Sequence, residues 1–225
     1  MTQITIPYTK DDKNFSIIIP ARGGSKRIPN KNIVDLNGKP LIVHSIEECL
    51  KVTPSVYVST DSFSIAKIAS QSGAMIIERP SAISQDTSKT EEAIEHFLSV
   101  VDTDVFACVQ ATTPLLRSEY LEQGIEFLSK FDSVISVTER IEYLWSESGV
   151  PINWEIGKRK RTQDTEKSYC ENGSFYMTSR EMFQRRNCLY DGRVGFVVMP
   201  ALLSKEIDTE EDLEYVRKLQ KVINA

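Results

Sequence analysis

The segment ARGGSKRIPNKN, residues 21–32, places two adjacent glycines and four cations, Arg22, Lys26, Arg27 and Lys31, directly behind the apolar run FSIIIP. Gly23 and Gly24 allow the backbone close to a ligand and aim amide N–H groups at it, while the cations add full charge. Several phosphates in a row match that combination; a solvated basic turn is the alternative. The segment is neither G-x-x-x-x-G-K-[ST] nor G-x-G-x-x-G, so neither common phosphate fingerprint applies. Near the other end, EID at 206–208 sets Glu206 and Asp208 two residues apart. In an extended segment both carboxylates face one side and could meet one hard cation such as Mg2+. Asp208 could instead cap the helix that follows, a role Thr209 also suits.

Other polar residues fall at expected strand ends. Ser59 and Asp61 close one strand, with Asp61 equally placed to cap the next helix. Arg79 precedes Pro80, where an ion pair is the alternative to ligand contact. Thr90 can offer a hydroxyl to a ligand or cap the helix it begins. Gln110 ends a further strand, and its amide can both donate to and accept from a hydroxyl. Asn172 either bonds a ligand or shapes a turn. No Ser-His-Asp or Cys-His arrangement is visible, and His44 and His96 read as helix residues, so covalent catalysis finds no support.

The elements that must position these residues alternate. Strands are expected at 15–21, 55–60, 74–79, 104–110, 133–138, 173–179 and 195–200. Helices are expected at 40–51, with Pro40 in the first turn, and at 64–73, closed by Gly73. Further helices are expected at 89–101, 118–130 and 209–222, the last opened by a capping box from Thr209 to Asp212. This spacing means βαβ units and a mostly parallel α/β sheet, which binds ligands at the carboxyl ends of its strands. The pattern breaks at 139–170, a polar excursion carrying Trp145, Trp154 and the run KRKR at 158–161.

The 225 residues carry a net charge of −5, and 40% are hydrophobic, which suits one globular domain over 15–225 behind a polar lead-in at 1–14. An acidic chain argues against general nucleic-acid binding and makes the basic segment a local feature that points to an anionic ligand. No apolar run is long enough for a membrane span, and no signal-peptide pattern opens the chain. The four cysteines, Cys49, Cys108, Cys170 and Cys188, are widely spaced. They suggest neither zinc nor a disulfide framework, and fit a reducing cytoplasm.

ARGGSKRIPNKN closely resembles the nucleotide-binding signature of the N-acylneuraminate cytidylyltransferases. The match recurs in order through VSTD at 58–61, ERP at 78–80, SQDTSKT at 84–90, VQATTPLLR at 109–117, TQD at 162–164, ENGSFYM at 171–177 and EIDTEEDL at 206–213. The resemblance implies a doubly wound nucleotide-diphospho-sugar transferase-like fold, with 139–170 as a dimerisation arm. It implies transfer of CMP from CTP to the anomeric hydroxyl of a nine-carbon 2-keto acid, dependent on Mg2+, in a cytoplasmic homodimer serving cell-surface polysaccharide biosynthesis. Ala21, Arg22, Gly23, Lys31, Asn32, Arg79 and Thr90 would contact the nucleotide. Gln110, Arg161 and Asn172 would contact the sugar acid. Asp208 and Glu206 would hold the metal, and Arg22, Lys31 and Asp208 would carry catalysis. The chain departs from the family text at Ala111, Thr162 and Glu206. Thr112, where synthetases for the eight-carbon acid Kdo carry an acidic residue, argues against Kdo. The same chemistry on pseudaminic or legionaminic acid stays open, as does a catalytically weak nucleotide- or sugar-binding protein.

Overall fold

The computed structural model describes residues 14–223, so all but the last residue of the expected lead-in at 1–14 lies outside the described residues. The run FSIIIP forms β1 (Phe15–Pro20) at the centre of the sheet. Ile17 and Ile19 pack into the core on one face, and Ile18 into the core on the other. That two-sided burial explains why the strand reads as a continuous apolar run instead of alternating.

On the first side of β1 come α1 (Leu41–Val52), β4 (Val56–Thr60), α2 (Phe63–Gln71) and β5 (Met75–Glu78). The chain then crosses back through α3 (Thr90–Val100) to β6 (Val105–Val109) on the opposite side of β1. It continues through α4 (Ser118–Phe127), β7 (Ser133–Arg140), β8 (Ser168–Ser179), α5 (Arg180–Arg186), β9 (Val194–Val198) and α6 (Glu210–Ile223). The seven strands run in the order β5-β4-β1-β6-β8-β7-β9, and only β8 is antiparallel to its neighbours. Helices α1, α2 and α4 cover one face, while α3 and α5 cover the other. The expected mostly parallel, doubly wound sheet is therefore observed. Its strand order reverses between β4, β1 and β6, which puts the crevice for a ligand at their carboxyl ends.

A third, smaller core holds that crevice together. Ile28 of the basic segment, Leu36, Leu41, Leu115, Ile207, and Leu213 and Val216 of α6 are all buried against one another. Each such side chain contributes about 1.5–3 kcal/mol when fully buried. Apolar contact thus fastens the basic segment to the distant 206–208 segment.

Several boundaries differ from the sequence expectation. Residues 35–40 form a hairpin, β2 (Asp35–Leu36) and β3 (Lys39–Pro40), turned by Asn37 and Gly38 at φ 53° and 87°. Two positive φ values in a two-residue loop mark a type I′ turn, so Asn-Gly was the signal for it. Pro40 belongs to this hairpin and stands just before α1, outside its first turn. Helix α4 stops at Phe127, short of residue 130. Helix α5 was not foreseen, although Ser179 caps it by accepting from the Met182 amide at 3.1 Å and two arginines close its last turn. The irregular stretch is shorter than 139–170, because Glu139 and Arg140 pair with Tyr169 and Ser168 in the β7–β8 ladder.

Candidate active site

The basic segment leaves β1 with its backbone still tied to the sheet: the Ala21 amide donates to the Ser59 carbonyl at 2.9 Å. The Gly23 amide then donates to Asp61 Oδ1 at 2.8 Å. A Cβ on Gly23 would come within 3.3 Å of Ser62 Cβ, so the approach leaves little room for a side chain. Asp61 is therefore not a helix cap; Ser62 stands at that position in front of α2. Gly24 takes φ +70°, a conformation costly for residues with a Cβ. The segment closes through buried Asn32, whose Nδ2 donates to the Arg22 carbonyl at 3.0 Å. Asn32 thus spends its amide donor on shaping the loop.

With the backbone fixed, the four cations meet two carboxylates across a cleft of ≈ 290 Å³. Arg22 Nη1 donates to Asp86 Oδ1 at 2.6 Å, and Lys26 donates to the other oxygen of the same carboxylate. The Lys26 and Arg22 bonds hold the Asp86 carboxyl below the usual carboxylate range. On the opposite wall, Lys31 Nζ donates to Asp208 Oδ1 and to the Ile207 carbonyl, each at 3.0 Å. Arg27 reaches Asp208 Oδ2 at 3.6 Å. The structure therefore brings Arg22, Lys31 and Asp208 to one cleft. It adds Lys26, Arg27 and Asp86, of which Asp86 had no role assigned from sequence. The stretch SQDTSKT at 84–90 contains Asp86 but assigns it no role, because its partner Arg22 lies 64 positions away.

Arg79 is only 6% exposed. Its Nη2 donates to the Ser59 carbonyl at 3.0 Å, and its backbone amide extends the ladder to Thr60. Burial pulls its pKa down while nearby Asp61 opposes the shift; guanidinium basicity is high enough that the charge persists. Its Nε and the Ser59 hydroxyl are buried without a hydrogen-bond partner among the described residues. Such groups cost free energy unless a ligand or water meets them. Thr90 is the first residue of α3, and the cap belongs elsewhere: the Lys89 amide donates to Glu92 Oε2 at 2.7 Å.

Strand β6 ends at Val109, and Gln110 just beyond it is not among the residues lining the cleft; its backbone N–H donates to the Ser174 carbonyl at 3.0 Å. The Gln110 side chain has only a 3.8 Å contact to Cys108 Sγ, leaving most of its amide uncommitted. Asn172 differs. Its Nδ2 donates to Ser204 Oγ at 3.0 Å and Thr138 Oγ1 at 3.4 Å, and its Oδ1 accepts from the Ser174 amide at 3.1 Å. Asn172 is thus spent on joining β7, β8 and the turn before Lys205. Arg161 lies on the excursion between β7 and β8, pairs with Asp164 at 2.7 Å, and is not among the residues lining the cleft.

Glu206 and Asp208 flank the buried Ile207. Thr112 Oγ1 donates to Glu206 Oε1 at 3.0 Å, and the Ile207 amide donates to the Thr112 carbonyl at 2.8 Å. Among the described residues, no group of three or more His, Cys, Asp or Glu is arranged to hold a metal ion. Of Glu206 and Asp208, only Asp208 lines the cleft, Glu206 being engaged with Thr112, so Asp208 is the carboxylate offered to Mg2+ there; that ion usually takes one or two carboxylates and completes its shell with phosphates and water. Cap competition for Asp208 is absent: Thr209 Oγ1 accepts from the Asp212 amide at 3.2 Å, and Asp212 Oδ2 accepts from the Thr209 amide at 2.9 Å. The expected capping box is present.

Comparison with known proteins bears on the family and the fold. A family described as Cytidylyltransferase matches residues 16–223. The chain is 37% identical over 220 residues to N-acylneuraminate cytidylyltransferase A of Danio rerio, covering 92% of this chain and 51% of the relative. It is 34% identical over 223 residues to a pseudaminic acid cytidylyltransferase of Campylobacter jejuni, covering 91% of this chain and 95% of the relative. The chain thus spans about half the length of the Danio relative and nearly all of the Campylobacter one. A solved structure of CMP:2-keto-3-deoxy-manno-octonic acid synthetase complexed with CTP superposes with a TM-score of 0.72 at 18% identity, covering 94% of this chain and all of that one, a likeness of fold.

Proposed function

The chain belongs to the cytidylyltransferase family, and from that premise we propose that it transfers CMP from CTP to the anomeric hydroxyl of a nine-carbon 2-keto sugar acid. The observation that carries this reading is the cleft at the strand-order reversal, where Arg22, Lys26, Arg27 and Lys31 converge. The sugar hydroxyl oxygen forms a bond to the α-phosphorus, the bond from that phosphorus to the bridging oxygen breaks, and pyrophosphate leaves while the hydroxyl proton passes to solvent. Arg22 and Lys31 offset charge that builds on the transferring and departing phosphates. Mg2+, when held by Asp208 with Glu206, would screen the phosphates and acidify the attacking hydroxyl. Gln110 positions the acid through its uncommitted amide. Arg79 and Thr90 serve the nucleotide, with the unpartnered Arg79 Nε as the group a ligand would satisfy. Catalysis is positioning plus electrostatics, with no covalent enzyme intermediate.

We take N-acylneuraminate and pseudaminic acid as the first candidate substrates, since those acids appear in the relatives' names. The stretch between β7 and β8 supports a homodimer. It exposes Leu144, Trp145, Ile152 and Ile156, and the adjoining sheet surface exposes Tyr169 and Phe196. Exposed apolar surface of this kind marks contact sites. The described residues include no helix long and apolar enough to cross a membrane, and cytoplasmic operation on soluble substrates is part of the proposal.

The test is pyrophosphate release from CTP and Mg2+ with N-acetylneuraminate, pseudaminic acid and, as control, Kdo. Release with either nine-carbon acid and none with Kdo is expected. CTP binding without release on any acid would overturn the enzymatic reading in favour of a binding protein.

A further inference from the structure

Asp86 is the one carboxylate of the cleft that reaches both Arg22 and Lys26. It sits on a turn between β5 and α3 that is braced by its own bonds. Ser84 Oγ donates to the Pro80 carbonyl at 3.0 Å, Gln85 Nε2 donates to the Ser81 carbonyl at 2.7 Å, and the Gln85 amide donates to Ser88 Oγ at 3.0 Å. The paired side chains keep solvent access, at 33% for Arg22 and 37% for Asp86. A carboxylate therefore stands, tethered but exchangeable, where two loop cations converge on the cleft.

We propose that Asp86 is an internal anion that competes for the Arg22–Lys26 position, so that a ligand phosphate enters only by displacing it. This rests on the reading that the cleft takes the polyphosphate of CTP. A tethered group competes at an effective concentration in the millimolar range. A lone phosphate exchanges one anion for another and gains little. A triphosphate repays the exchange, because the same molecule also engages Lys31, Arg27 and the loop amides. Asp86 thereby raises the threshold for every phosphate ligand alike, so that a nucleoside triphosphate, held by more contacts, still fills the cleft at concentrations where a single phosphate leaves it to Asp86.

Displacement has a thermodynamic signature. If the competent state is the fraction with Asp86 released, apparent affinity scales with that fraction for every ligand that takes the position. Titration calorimetry of wild type, D86N and D86A with inorganic phosphate, pyrophosphate and CTP reads it directly. Both variants are expected to tighten all three ligands by one common factor, about tenfold for a millimolar internal competitor. A gain that grows with ligand charge would mean that Asp86 only repels from a distance, and would overturn displacement. Unchanged or weaker binding would overturn it as well, and would make Asp86 a holder of Arg22. Phosphate and pyrophosphate carry no cytidine, so they judge the internal anion separately. Variants that gain phosphate affinity while neither they nor wild type bind CTP would uphold Asp86 and sink the cytidylyl reading.

Discussion

Lys31→Ala separates the chemistry of the cleft from its architecture. The Lys31 side chain is only 15% exposed, and its ammonium makes two bonds, to the Ile207 carbonyl and to Asp208 Oδ1, both at 3.0 Å. Removing it leaves a carboxylate with Arg27 alone at 3.6 Å and a carbonyl short of one donor. A charge-assisted bond is worth about 1.5–3 kcal/mol when buried. Asp208 is 45% exposed, so we discount the loss to about 1–2 kcal/mol for solvent screening. For a chain of this size that lowers Tm by roughly 2–8 °C. The catalytic loss is larger. A preorganised donor to developing charge contributes about 10²–10³ in kcat, so turnover at saturating CTP and acid should fall about 100-fold or more. The assay is continuous pyrophosphate release, run 15 °C or so below the variant's own Tm so that unfolding cannot mimic the effect. A variant that melts a few degrees lower yet turns over near the wild-type rate would refute the role of Lys31 in the transition state. It would leave the residue a strut between the basic segment and the 206–208 segment.

Two further perturbations test the frame around the cleft. Asp212 accepts from the Asp208 and Thr209 amides and pairs with Lys205 at 2.6 Å, and the Lys205 bond above all holds its carboxyl far below the ordinary range. Asp212→Ala should lose about 0.5–2 kcal/mol as a broken cap and also lower activity, because the amide beside the proposed metal ligand goes free; an unchanged Tm by calorimetry would refute the cap. His44 accepts from Gln220 at 3.2 Å on Nδ1 and donates from Nε2 to the Leu36 carbonyl at 3.2 Å, and burial depresses its pKa. The unfolded chain then takes the proton more readily than the folded one, so stability is present above the unfolded value of about 6.5 and is lost as pH falls from there toward the lower folded value. His44→Gln should flatten the fall in Tm between pH 7.5 and 5.5; an equally steep profile would assign that dependence to other groups.

The doubly wound sheet was legible because its physics is local. Runs such as FSIIIP and VFACV, buried on both faces, alternate with amphipathic stretches that end in Gly73 or begin at Thr209. What was missed is short or tertiary. Two-residue strands carry no period, so the β2–β3 hairpin showed only as Asn-Gly. Residues 168–171 of β8 are all exposed, with no alternation of buried and exposed sides, and they join the sheet by pairing with β7, which no pattern within them announces. Thr90 looked like a cap by type, yet Glu92 took the task through its reach to the Lys89 amide.

The same division runs through the cleft. The residue types of the basic segment announced phosphates, because four cations beside two glycines have few other uses on an acidic chain. Their pairing could not be read, since each partner comes from another strand end. Asp86 follows β5, and Asp208 follows β9. That pairing decides what the cleft does without a ligand. Four open cations would bind any anion and repel one another; two brackets, each with two cations on one carboxylate, neutralise half the charge. The two carboxylates then diverge in use. Asp208 is braced by its backbone amide on Asp212, a bond no phosphate would claim, so it is the one placed to stay and meet the proposed metal. Asp86 is held only by the two cations the phosphates would claim and by its own turn, so it is the one that yields.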